Sequence, residues 1–141
     1  MSTMLQEELW KNWNSVHKCP ITITRVEDFD PANGVYLYSI GNDWNGLLTQ
    51  DRLITDPVYT PCFKIVSREK HIAILDKYGV FPQFAKKVFV DYLTGEVIYD
   101  GFTATSPFHC DEEEVYFKVG WENPEWFVFN CNERTVARVT A

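Results

Sequence analysis

The chain has 141 residues, 45% hydrophobic and 16% aromatic, which excludes a disordered or low-complexity protein and sets the expectation of a single globular domain over 1–141. Twenty acids against thirteen Lys and Arg give a formal charge of −7, which argues against nucleic acid or an anionic membrane as the partner. The four cysteines (Cys19, Cys62, Cys110, Cys131) are scattered without a C-x-x-C pair, and Met1–Trp10 has no leader pattern, so a cytoplasmic protein with reduced thiols is expected.

Thr3 and Gln6 form a capping-box signature, and Leu5, Leu9, Trp13 and Val16 follow near helical spacing until Cys19-Pro20. Met4 to His17 therefore reads as an amphipathic helix laid on a sheet. Ile21 to Val26 alternates Ile and Thr as a strand, Asp28 to Gly34 is a turn region, and Val35 to Ile40 resumes β character. From Gly41 to Pro61 turn formers and two prolines leave no clear period, so this stretch reads as a long loop or an irregular edge. Within it, Asp43-Trp44-Asn45-Gly46 is either functional or a Trp plugging the end of a sheet.

Cys62 to Val66 is a short strand. Ser67 then suits the cap of a second helix through Ile72, Leu75 and Tyr78 that ends at Gly79, with a strand over His71–Leu75 as the alternative. Lys86–Asp91 and Glu96–Phe102 flank Tyr92-Leu93-Thr94-Gly95, where Gly95 suits a positive φ. Glu114–Trp121, Glu125–Cys131 and Thr135–Thr140 are joined by short turns and read as an antiparallel meander with Val115, Phe117, Val119 and Trp121 on one face. The expected fold is α+β: a mainly antiparallel twisted β-sheet of about six or seven strands, packed by the N-terminal helix and, on one reading of 67–79, a second.

The charge is concentrated. Between Asp91 and Glu125 nine acids stand against one base, Lys118, while the rest of the chain is about neutral. Asp91 just before a turn suits capping of that turn's amides. Glu96, Asp100, Asp111, Glu112, Glu113, Glu114, Glu122 and Glu125, with Trp121 and Trp126, are the candidate partner-binding residues. The consecutive acids of 111–114 lack the alternation of a calcium loop. His17 and Cys19 could meet His109 and Cys110 around zinc, but neither pair has zinc spacing. No phosphate loop, nucleophile elbow or metalloprotease motif occurs, so neither catalytic residues, a metal nor a cofactor is assigned.

These features point to a non-enzymatic, acidic protein-binding domain. Its expected partner is a basic protein such as a nuclease or toxin, and its expected role is that of an inhibitor of the immunity or anti-defence type. One alternative is a small-molecule or carbohydrate binder, or a small enzyme, with an aromatic-lined pocket around Trp44, Trp121, Trp126, His109 and Asp111. Another is a structural or assembly subunit.

Overall fold

The computed structural model describes residues 23–41, 44–78, 86–103, 108–111, 113–119, 123 and 125–139. Among them 65% lie in strands and 3% in helix, and no helix reaches seven residues. The α+β expectation is therefore corrected to a nearly all-β fold, with two antiparallel sheets of seven and four strands in place of one sheet of six or seven. The helix expected over Met4–His17 lies outside the described residues. No described helix is long and apolar enough to cross a membrane.

Strands β1 (Arg25–Asp30), β2 (Val35–Ile40), β3 (Trp44–Leu48), β4 (Tyr59–Ser67), β5 (Ile72–Lys77), β6 (Lys86–Asp91) and β7 (Val97–Thr103) pair in chain order. Strands β8 (Phe108–Cys110), β9 (Glu114–Val119), β10 (Glu125–Asn130) and β11 (Thr135–Arg138) form the second sheet in the same sequential way. Contacts divide the chain into two compact units, Met1–Pro61 with Tyr92–Gly95, and Cys62–Asp91 with Glu96–Ala141.

In the first unit β1 begins later than expected and runs through Asp28-Phe29-Asp30, and the reversal falls to a 3-10 turn at Pro31–Asn33. The expected loop over 41–61 contains a strand. Asn45-Gly46 suggests a turn, yet Gly46 sits opposite Tyr38 in the β2–β3 register, and a Cβ there would lie 2.7 Å from the Tyr38 hydroxyl. The glycine thus makes room for a ring on the neighbouring strand, a recognised use of glycine within sheets. Trp44 does not plug the sheet; it is 51% exposed. The core of Ile23, Val26, Tyr36, Tyr38 and Leu48 carries buried polar partners. Tyr38 donates to the Thr55 carbonyl at 2.7 Å, Ser39 pairs with Asn45 at 2.7 Å, and Asp30 accepts from Tyr92 at 2.5 Å and Asn33 at 2.7 Å.

In the second unit the alternative reading of 67–79 prevails: Ile72–Lys77 is a strand and not a helix. Ile72 and Ile74 face the core that includes Phe89, while Ala73 and Leu75 on the opposite face are equally buried. A strand buried on both sides reads as one apolar run, which periodicity alone cannot separate from a helix. Phe89 stacks on Phe129 at 4.2 Å and lies 5.6 Å from Phe117, so the two sheets of this unit meet face to face through rings. The hairpin β6–β7 is as expected, with Gly95 at φ +83°. The β9–β10–β11 meander is likewise present, with Val115 and Phe117 inward.

Candidate functional site

Because β5, β6, β9 and β11 each return antiparallel on the preceding strand, the turns β4–β5, β8–β9 and β10–β11 and the end of β6 fall at one end of the second unit. Side-chain and backbone contacts tie them together. The Arg134 guanidinium reaches Asp91 at 2.9 Å and the Lys70 carbonyl at 3.2 Å, and the Cys131 amide donates to the Glu113 carbonyl at 2.8 Å. Arg134 sits in the left-handed region at φ +57°, one residue beyond a turn in which Asn130 Oδ1 accepts from the amides of Asn132 and Glu133, each at 2.9 Å. That side-chain cap explains why Asn-Cys-Asn-Glu-Arg turns so tightly. In β8–β9, Asp111 donates its amide to the Glu114 carbonyl at 2.9 Å.

Exposed carboxylates crown this end: Glu69, Glu96, Asp111, Glu113 and Glu133, with Glu114 half-buried. Counting Asp91, seven described carboxylates stand there against Arg68, Lys70 and Arg134. Of the sequence-predicted acids, the structure thus gathers Glu96, Asp111, Glu113 and Glu114. Glu69 and Glu133 lie outside the acidic run in sequence and were missed; only the hairpin register brings them in. The Asp91 carboxylate reaches Arg134, and only 12% of the side chain is exposed.

The other candidates lie elsewhere. Asp100 is exposed within β7. Glu125 starts β10 at the far end and pairs with Arg138 at 2.9 Å across solvent-exposed positions, a contact worth little. Trp126 is 40% exposed on the outer face of the second sheet, beside Lys118, whose ammonium lies 6.0 Å from the ring centre. Glu112, Trp121 and Glu122 lie outside the described residues. Taken by sequence interval, the second unit has twelve acids and nine bases, so the local excess of 91–125 is offset within its own unit to a net −3. The asymmetry survives as a difference between the unit's two ends.

At the opposite end the sandwich interior stays open as a cleft of about 320 Å³ lined by Cys62, Lys64, Ile74, Asp76, Lys87 and Phe108. Lys87 bonds Asp76 at 2.7 Å, both side chains only 14% exposed, and its ammonium stands 5.3 Å from the centre of the Phe108 ring.

For the zinc reading, His109 and Cys110 alternate on β8, opposite Tyr116 and Val115 respectively, and so point to opposite faces. His17 and Cys19 lie outside the described residues, and no described group of three or more His, Cys, Asp or Glu is placed to hold a metal. Burial pushes the Cys110 thiol up, partly opposed by Lys64, and burial likewise raises Cys131, partly opposed by Lys70. Both thiols are therefore protonated and poor nucleophiles at neutral pH. No family model matches the chain, and neither does a curated protein or a solved structure.

Proposed function

We propose that the chain is a non-enzymatic protein-binding domain that presents the acidic end of its second unit to a basic surface of a partner such as a nuclease or toxin, acting as an inhibitor of the immunity or anti-defence type. The observation that carries this reading is the convergence of Glu69, Glu96, Asp111, Glu113 and Glu133 at one end of the unit, where Arg134 and the Cys131 amide tie the turns together. Carboxylates on turns with fixed backbones form a preorganised field, which speeds encounter with a cationic surface more than it deepens the final complex. A reducing, cytoplasmic setting goes with this reading.

The test uses the partner captured from the source cells, with association rates measured at several salt concentrations. Replacing Glu69, Glu96, Glu113 and Glu133 by Gln and Asp111 by Asn is expected to leave folding intact and to slow association about ten-fold or more at low salt, with a flatter salt dependence. Neutralising Asp100 and Glu125 instead is expected to change the rate little. Equal rates and slopes for the five-fold variant and the parent would remove the acidic end from the interface.

A further inference from the structure

The cleft at the other end of the second unit has a charge opposite to that of the chain. Strand alternation from Val66, which packs on the core, carries Lys64 and Cys62 to the same side as Ile74, Asp76 and Lys87. Phe108 closes the second wall. Two ammonium groups, Lys64 and Lys87, therefore share one carboxylate, and that carboxylate is taken by Lys87 at 2.7 Å. Among the described residues Lys64 has no ion-pair partner. Lys77 and Lys86, paired directly across β5 and β6 at the same end, alternate to the opposite face of the sheet from Asp76 and Lys87. The walls beside these groups are apolar: the Phe108 ring, the Ile74 side chain and Phe63 at the rim. A volume of about 320 Å³ lies at the small end of the range for ligand sites, which runs from roughly 300 to 1,000 Å³.

We infer that this cleft binds a small aromatic carboxylate, its ring lying between Phe108 and Ile74 and its carboxylate held by Lys64. Lys87 is a positioning residue. Its bond to Asp76 fixes the ammonium over the Phe108 ring, which shapes the wall and keeps the floor polar at one edge only. The ligand supplies the counter-charge that Lys64, exposed at the mouth of the cleft, lacks, while its ring is held against Phe108 and Ile74. The inference is independent of the proposed protein partner, which would meet the opposite end.

Cys62 provides the readout, because its exposed thiol lines the cleft while burial holds those of Cys110 and Cys131 protonated. The full chain is treated with iodoacetamide and the modification of Cys62 is timed by mass spectrometry, alone and with benzoate, 4-methylbenzoate or indole-3-acetate, each beside its neutral amide. At about 10 mM, enough to fill a site of millimolar affinity, a fitting acid is expected to slow the reaction up to about ten-fold and its amide far less. Lys64→Ala should abolish the protection and Lys64→Arg should retain it, with circular dichroism confirming the fold; Lys64→Gln replaces the alanine variant if that one fails to fold. Absence of protection by all three acids, equal protection by the amides, or undiminished protection in Lys64→Ala would each overturn the assignment.

Discussion

The two units solve the same problem with different chemistry. The first sets hydrogen-bonded tyrosines and small polar side chains among its buried Ile, Val and Leu residues, as in Tyr38 to Thr55, Ser39 to Asn45 and Tyr92 to Asp30. The second sets the ion pairs Asp91–Arg134 and Asp76–Lys87 at its two ends and fills the space between with Ile72, Ile74, Phe89, Val115, Phe117 and Phe129. Directional bonds select a register because a slipped strand would leave buried groups unsatisfied. Interlocking rings select one by volume, because a slip would open a void. The first kind of interior is sensitive to the loss of single atoms, the second to the loss of whole side chains.

Phe89→Ala should therefore be the most damaging of the changes considered. It removes the ring stacked at 4.2 Å on Phe129 and leaves a cavity, for an expected loss of about 3–5 kcal/mol in chemical denaturation. A loss below about 1 kcal/mol would mean that volume does not organise the second unit.

Gly95→Val comes next. At φ +83° a β-branched residue is strained, and a Cβ there would run into the Ile54 carbonyl oxygen of the first unit. A loss of about 2–3 kcal/mol is expected, and Gly95→Asn, which tolerates the left-handed region, should recover part of it. Equal losses for Val and Asn would assign the whole effect to the collision.

Tyr38→Phe is the smallest change and the sharpest for the comparison. It deletes one oxygen and leaves the Thr55 carbonyl without its 2.7 Å donor, at an expected cost of about 1–2 kcal/mol. An unchanged denaturation midpoint would show that the first unit, too, depends on packing rather than on its polar bonds.

What could be read in advance followed the strength of local signals. Thr94-Gly95 and the short links of the C-terminal meander are turns whose chemistry is contained in a few adjacent residues, and there the expected strands and the inward Val115 and Phe117 were found. Ile72–Leu75 misled because burial on both faces erases the period that distinguishes a strand. Trp44–Leu48 misled because Gly46 looks like a turn former until Tyr38 is seen opposite it. The acidic run was visible as a run, but its division between a turn cluster, β7 and the start of β10 depends on strand direction, as does the recruitment of Glu69 and Glu133. The cleft had no signature at all, since Lys64, Asp76, Lys87 and Phe108 come from four strands and resemble ordinary surface and core residues when read singly.

The division of the chain also governs how the protein can be made. The first unit consists of Met1–Pro61 together with Tyr92–Gly95, and the hydrogen bond from Tyr92 to Asp30 spans 62 positions. On the ribosome the leading segment must wait until residue 95 has emerged before its buried Asp30 can meet the hydroxyl that completes it, and by then β4, β5 and β6 have already been synthesised. Long-range closure of this kind slows folding and prolongs the exposure of unpaired strands. A chain truncated after Pro61 would lack the last four residues of its own first unit, Tyr92–Gly95.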